Sequence, residues 1–288
     1  MTDERRIGDD LFDPIQGWLE RTDQIFKTTP SRPRHDFIGN AKFSQRHQEG
    51  FQYIKADDIF VDSDAHITFT NNNLNTTFPP EAFYILCKRL IFRPRPKIPT
   101  FKFDYFLPPL GKPPTPPKQN TQSGHRGADG VDGEVGKPWP SRNANLGIQI
   151  CFAFNEIVIE NDAEPNRKLV NLIATGYDGQ AGGDGGEGGD CFDGPCKEGG
   201  GIGGAGGNGG TGIGGGTIYL CGPQAQIDIL YRRLSANVVG GNGGAGGIQG
   251  QFGSGMILPQ KPNGLTGVNG KDGTVIRFKK DNILDLFP

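Results

Sequence analysis

The fold prediction starts from a glycine repeat that is clearest at residues 182–190, Gly182-Gly183-Asp184-Gly185-Gly186-Glu187-Gly188-Gly189-Asp190. Glycine fills two of every three positions in this stretch, and an acidic residue fills the third. Glycine recurs at every third residue from Gly176 to Gly215, and only Cys191 and Lys197 interrupt this series. A flexible linker has no reason to keep a three-residue period over this length. The period therefore indicates ordered structure.

A three-residue period is that of a polyproline-II-type helix, which has three residues per turn and no internal hydrogen bonds. Its amides need partners in water or in neighbouring segments, and close packing requires faces without a Cβ, which means glycine. Residues 182–190, 199–211 and 240–248 have two glycine faces, whereas 124–136 and 264–273 have one. We predict five packed polyglycine-II segments, three interior and two at edges; the alternatives are disorder and packing between molecules.

Apolar segments between the glycine runs share a pattern of short alternating strands. The copies are 53–61, 84–92 and 151–159, which align without gaps, and the looser pairs 218–221 with 227–229 and 275–278 with 283–284. This spacing is typical of solenoid rungs that stack and bury their apolar side chains. The predicted fold is mainly β: an irregular β-solenoid or β-sandwich whose rungs are interleaved with a packed bundle of polyglycine-II helices.

Proline is concentrated upstream of the glycine runs and ends in Pro113-Pro114-Thr115-Pro116-Pro117. Such a run favours an extended polyproline spacer. We therefore predict an N-terminal helix and β-strand region at 1–106, a proline-rich linker at 107–123, and a glycine-rich polyglycine-II and β domain at 124–288.

One short α-helix is predicted near the N-terminus. Asp13 is a good N-cap and Pro14 suits the first helical position. Trp18, Leu19 and Phe26 then fall on one face of the helix. This face either packs on the body of the protein or serves self-association.

Composition excludes several classes of protein. The chain has 30 basic and 32 acidic residues and a pI near 6.1, which argues against a nucleic-acid binder held by phosphate contacts. No apolar run approaches the roughly 18 residues that cross a bilayer. The N-terminal sequence lacks the apolar stretch of a secretory signal. We expect no nucleic-acid partner and no membrane span.

Catalytic and cofactor motifs are not convincing in this sequence. Residues 201–206 match the dinucleotide fingerprint by chance, because no strand precedes them and no helix follows. The four histidines are scattered without zinc-type spacing. We therefore predict no enzyme activity, no catalytic residue, no metal site and no cofactor.

Acidic residues form a row along the repeat, at Asp184, Glu187 and Asp190. At roughly 3.1 Å per residue they stand about 9 Å apart, too far to share one calcium ion. A solvated face is the favoured interpretation.

The five cysteines fall into two groups. Cys191 and Cys196 bracket a turn sequence and are a candidate disulfide. Cys87, Cys151 and Cys221 lie in apolar strands and are expected to be core residues.

Aromatic and neighbouring side chains at the ends of the glycine segments are the ligand-binding candidates: Tyr177, Phe192, Asp193, Phe252 and Met256. Packed polyglycine segments offer no side chains for recognition, so binding would depend on the residues at the ends of the segments. The alternative is that these residues cap the ends of the segments.

Runs such as 203–210 and 240–247 resemble the glycine-rich phage tail-fibre adhesins and also collagen-like bacterial surface proteins. The likeness covers about residues 124–273 and is compositional. It implies a polyglycine sandwich with receptor-binding loops at one end.

We expect a non-enzymatic structural protein, a subunit of an extracellular filament or particle-associated assembly. It would self-associate through the N-terminal helix and open β or polyglycine edges, as a homo-oligomer or polymer at a virion or cell surface. The alternative is a receptor-binding adhesin of the tail-fibre tip type, which recognises a surface glycan or protein through its aromatic turns.

Overall fold

The structure is a computed structural model. It describes residues 27, 30–43, 51–70, 82–93, 97–103, 112–118, 128–137, 147–162, 164–190, 199–254 and 261–281.

Successive strands alternate between two parallel sheets, so that each consecutive pair forms one turn of a solenoid. The six-stranded sheet contains, in spatial order, β1 (Arg32–Phe37), β3 (Phe51–Asp62), β5 (Ala82–Arg93), β7 (Gln149–Ile159), β9 (Thr217–Gly222) and β11 (Val275–Lys279). The five-stranded sheet contains β10 (Leu234–Asn237), β8 (Val170–Ile173), β6 (Thr100–Phe103), β4 (His66–Phe69) and β2 (Asn40–Phe43). Helix α1 (Gln224–Arg233) joins β9 to β10.

The register of the long strands follows the repeat in the sequence. Tyr53 lies beside Tyr84, and Tyr84 lies beside Cys151. The gap-free alignment of 53–61, 84–92 and 151–159 is therefore confirmed as the pairing of β3, β5 and β7. Identical spacing lets each strand place its apolar side chains over those of its neighbour.

The main core lies between the two sheets and consists largely of phenylalanine and isoleucine. Phe69 of β4 is fully buried, and its ring centroid lies 4.4 Å from that of Phe83 in the facing sheet. Phe101 and Phe152 also face each other across the sheets, with stacked rings at 6.3 Å. A second buried cluster, which includes Tyr84, Cys151 and Tyr219, belongs to the six-stranded sheet alone.

Helix α1 replaces a strand that the sequence pattern suggested at 227–229. Ile227 and Leu230 are buried at the three-residue spacing of one helix face. Arg233 in the last turn is 6% exposed and forms an ion pair with Asp162. The apolar residues at 227 and 229 fit the pattern of a strand and also that of a helix. Burial of one helix face and the ion pair of Arg233 with Asp162 stabilise the helix.

The predicted fold class is wrong in its principal element, and only its mainly-β part is confirmed. The described residues contain two parallel sheets and one helix, and not a bundle of polyglycine-II helices. The glycine-rich segments are extended chain that belongs to neither sheet and joins one sheet to the other. The physical reason is that glycine has no side chain to bury, so the phenylalanine-rich core between the sheets organises the fold.

The predicted N-terminal helix, with Trp18, Leu19 and Phe26, lies outside the residues that the structure describes. The predicted linker at 107–123 separates β5 from β7 in sequence, yet these two strands pair side by side in the same sheet. The predicted linker thus marks a change in amino-acid composition, and the strands on either side of it belong to the same pair of sheets.

Candidate functional site

The glycine-rich segments are the connections that lead from the five-stranded sheet back to the six-stranded sheet. All three connections are extended chain where they are described. In the second and third connections, the returning segment forms backbone hydrogen bonds with the outgoing one before the next strand begins. The described parts are 112–118 and 128–137 before β7, 174–190 and 199–216 before β9, and 238–254 and 261–274 before β11. These six segments together are called the glycine lattice below.

Backbone hydrogen bonds join the segments at every third residue. The N–H of Gly185 donates to the carbonyl of Ile248 at 2.8 Å, between two segments that run parallel. The N–H of Gly204 donates to Gly186, and the N–H of Gly250 donates to Gly204, each at 2.8 Å and between antiparallel segments. The lattice is therefore held by backbone groups, in the same way as a sheet but with a period of three.

Segment 199–216 is the centre of the lattice. It forms backbone hydrogen bonds with 128–137, 174–190, 238–254 and 261–274. The arrangement is thus three-dimensional, whereas a β-sheet would allow each segment only two neighbours.

Glycine is required where the backbones meet. A Cβ added at Gly185 would lie 2.1 Å from the carbonyl oxygen of Gly204, and one added at Gly204 would lie 2.1 Å from the carbonyl oxygen of Val131. Gly186, the next residue along, is less tightly enclosed, because its added Cβ would meet the Cβ of Pro116 at 3.2 Å. These distances show that adjacent glycines differ in how much space surrounds them.

A row of carboxylates completes the hydrogen bonding between two of the segments. Asp178, Asp184 and Asp190 accept the backbone N–H groups of Asn242, Ile248 and Ser254 at 2.7, 2.8 and 3.0 Å. The interpretation of the acidic row as a merely solvated face is therefore wrong for Asp184 and Asp190. The sequence signal was the six-residue spacing of Asp178, Asp184 and Asp190, which matches the spacing of the three donors.

Other side chains of the lattice also accept hydrogen bonds from backbone N–H groups of a neighbouring segment. Asp129 and Asp132 accept from Ile202 and Ala205, Asn208 accepts from Leu265, and Asn263, Asn269 and Asp272 accept from Gln249, Gly243 and Gly240. Aspartate and asparagine therefore supply oxygen acceptors for N–H groups that no backbone carbonyl reaches.

Lysines pair with three of these carboxylates. The pairs are Lys112 with Asp184 at 2.7 Å, Lys118 with Asp190 at 2.7 Å, and Lys261 with Asp132 at 2.8 Å. The lysine hydrogen bond, and after it the backbone N–H, lowers the pKa of Asp132, Asp184 and Asp190 below the usual value. The charged form of each carboxyl is thus favoured in the folded protein.

The structure places the predicted ligand-binding residues at different positions. Tyr177 lies at the base of the lattice, where its side chain packs against the main core and its carbonyl accepts the N–H of Ile213. Phe252 is half-buried near the opposite end, level with Gly189. Twelve residues of extended chain separate the two levels, about 37 Å at roughly 3.1 Å per residue. The two aromatic residues therefore do not share a site.

The other candidates, Phe192, Asp193, Met256 and the pair Cys191 and Cys196, lie outside the described residues. The described chain on either side of them does converge. Gly189 donates to Ala128, Gly201 donates to Gly189, and Gly253 donates to Gly201, at 2.8, 2.9 and 3.0 Å. The described chain on either side of 119–127, 191–198 and 255–260 therefore lies at one end of the lattice.

The cysteines Cys87, Cys151 and Cys221 are buried and form no disulfide, as expected of core residues. Burial raises the pKa of the Cys87 and Cys151 thiols, which makes both poor nucleophiles. Within the described ranges, no group of three or more histidine, cysteine or carboxylate side chains is placed to hold a metal ion. In the same residues, no helix has the length and apolar character needed to span a bilayer.

No protein-family model, curated protein or solved structure matches the chain.

The two neighbouring glycines Gly185 and Gly186 provide a matched test of the lattice. We expect Gly185→Ala to lower the free energy of unfolding by about 1–3 kcal/mol, because its methyl group would overlap the Gly204 carbonyl. Gly186→Ala should cost less than about 1 kcal/mol, since a few tenths of an ångström of movement suffice and alanine lowers the entropy of the unfolded chain. Urea unfolding of both variants measures the difference. Equal losses would contradict the observed packing.

The paired aspartates predict a dependence of stability on pH. Their folded-state pKa values lie below the unfolded value of about 3.9, so their contribution is complete above that pH and is lost as the pH falls through the folded values. We expect the wild-type urea midpoint to fall below about pH 4.

A triple variant, D132N, D184N and D190N, should show a smaller fall, because asparagine keeps the acceptor oxygen and does not titrate. Asp281→Asn is the control, since that side chain is 78% exposed. A fall as large in the triple variant as in the wild type would show that these carboxylates do not contribute.

Proposed function

We propose that the chain is a non-enzymatic display protein at the surface of a cell or particle, which binds a receptor at the far end of the glycine lattice. The observation that carries the proposal is the convergence of the described chain around Ala128, Gly189, Gly201 and Gly253. Segments of a hydrogen-bonded body that meet at one end offer a surface for recognition at that end. The solenoid supplies the platform from which the lattice extends.

The rigidity of the lattice supports this proposal. Loops that bind ligands are effective when a rigid scaffold holds them, because less conformational entropy is lost on binding. Backbone hydrogen bonds along their length fix five of the six segments to one another, and Lys112 and Lys118 link the sixth, 112–118, to Asp184 and Asp190. The resemblance to tail-fibre adhesins points in the same direction, although it rests on composition.

The charged edge strands of the six-stranded sheet oppose the stacking of one molecule on the next into a filament, and this favours the display function. β1 carries Arg32 and Arg34, with Pro33 between them, and β11 carries Arg277 and Lys279. Stacking β11 of one molecule on β1 of the next would place like charges together. Charged residues and proline on edge strands oppose strand pairing between molecules. A filament would have to form through other surfaces.

Binding of the purified full chain to an immobilised glycan array tests the proposal. We expect binding to a defined surface glycan, and a loss of at least about tenfold in affinity for Phe252→Ala, because aromatic side chains dominate such contacts. Tyr177→Phe is the matched control and should bind as the wild type does, since Tyr177 lies at the base.

Two results would contradict the proposal. One is wild-type affinity in Phe252→Ala, which would place recognition away from the far end of the lattice. The other is the formation of ordered fibres by the purified protein under electron microscopy, with no glycan bound. That result would favour the filament subunit.

A further inference from the structure

The outer face of the six-stranded sheet, on the side away from the main core, carries two rows of side chains that cross five strands. The first row is Tyr53, Tyr84, Cys151, Tyr219 and Ile276, and the second is Lys55, Leu86, Ala153, Cys221 and Phe278. Strands lie about 4.8 Å apart, so the steps from β3 to β11 make the rows about 19 Å long. Positions two apart along a strand are separated by about 7 Å, which makes the pair of rows narrow. The two rows together are called the outer band.

The outer band is buried. Tyr84 and Leu86 of β5 and Ala153 of β7 are 0% exposed, although all the described members of their apolar cluster lie on the sheet itself. Helix α1 is not the cover, since its buried residues Ile227 and Leu230 belong to the main core on the other face. A bare sheet face would leave tyrosine and leucine side chains accessible to water. A further segment must therefore lie over the band.

The burial ends where the band ends. Farther along the same strands, the outer side chains are charged and reach water. Arg89, whose neighbour Leu90 faces the main core, has a side chain that is 51% exposed and pairs with Asp58 on the adjacent strand. The cover is therefore narrow. A single α-helix, about 10 Å across with its side chains, has a suitable width.

The N-terminal segment 13–27, for which the sequence predicts an amphipathic helix, matches the band in length and position. At about 1.5 Å per residue, a helix over this segment would be about 22 Å long. Lys27 has α-helical conformation. Ser31, shortly after it, donates its hydroxyl to Asp57 at 2.9 Å. Asp57 follows Lys55 at the next outward position of β3, so the chain enters β1 on the side of the sheet that carries the band.

The side chains of the segment also suit the shape of the band. The middle strand, β7, contributes the small residues Cys151 and Ala153, and tyrosines stand in the first row on both sides of it. The band is therefore lowest at its centre. Trp18 and Leu19 lie near the middle of segment 13–27, on the apolar face of the predicted helix. A large side chain at this position would fill the central depression at the density of a protein interior.

Other segments outside the described residues fit the band less well. The segments 71–81, 104–111 and 138–146 each contain two prolines, which oppose a continuous helix of this length. We infer that the N-terminal segment packs as a helix across the outer band of its own chain, with Trp18 over Cys151 and Ala153. This contact occupies the apolar face that would otherwise serve self-association. The inference is independent of the proposed display function.

The cysteines provide a test with an internal control, because Cys151 lies in the outer band and Cys87 in the main core. In the full chain, Trp18→Ala should let a thiol reagent modify Cys151 at least about tenfold faster than in the wild type, since loss of the indole favours local opening of the helix. Cys87 should keep its wild-type rate, as the main core stays closed. Gln24→Ala is the matched control on the opposite face of the predicted helix and should leave both rates unchanged. Mass spectrometry of peptides identifies the modified cysteine.

Tryptophan fluorescence gives a second measurement, which keeps the test valid if Trp18→Ala fails to fold. Trp139→Phe leaves Trp18 as the only tryptophan. We expect the emission of a buried indole and protection from acrylamide quenching, both unchanged on dilution because the contact lies within one chain.

The inference is overturned if Cys151 in Trp18→Ala reacts at the wild-type rate, or if Gln24→Ala accelerates the reaction as much. Free access of acrylamide to Trp18 would also overturn it. So would protection that disappears on dilution, because the segment would then pack on a second copy of the chain.

Discussion

The contact between one extended backbone and the next, at positions where glycine leaves no Cβ, is the constraint on which the lattice depends. An added Cβ at Gly185 or Gly204 would lie about 2.1 Å from a carbonyl oxygen of a neighbouring segment. Because these faces are bare, N–H groups reach carbonyls at 2.8 Å in several directions at once. Glycine thus acts here as a packing residue, although it is usually associated with flexibility.

The two parts of the molecule are stabilised by different interactions. The solenoid buries phenylalanine and isoleucine between two parallel sheets, so its main driving force is removal of apolar surface from water. The lattice has little apolar surface to bury and depends on satisfying backbone groups. Aspartate and asparagine side chains serve this need at the surface, where Asp184 accepts the N–H of Ile248 and Asn208 accepts that of Leu265. Each connection of the lattice begins and ends in a strand of the solenoid, which aligns the segments.

Local features of the structure could be predicted from the sequence, and features that depend on distant partners could not. The register of β3, β5 and β7 follows from three nearly identical apolar patterns, since matching side chains stack. The helix at 224–233 could not be predicted, because its stability depends on contact with the sheets and on the pairing of Arg233 with Asp162. The role of Asp184 was missed for the same reason, as its partner Ile248 is 64 residues away.

Amide hydrogen exchange across residues 176–273, followed residue by residue by NMR, tests the hydrogen-bonded lattice most directly. The N–H groups of Gly241, Gly244, Gly247 and Gly250 donate to carbonyls of the central segment. We expect these amides to exchange only through global unfolding. Rapid exchange throughout 176–273 would contradict the account, because it would show that the glycine-rich segments are flexible connections without lasting hydrogen bonds.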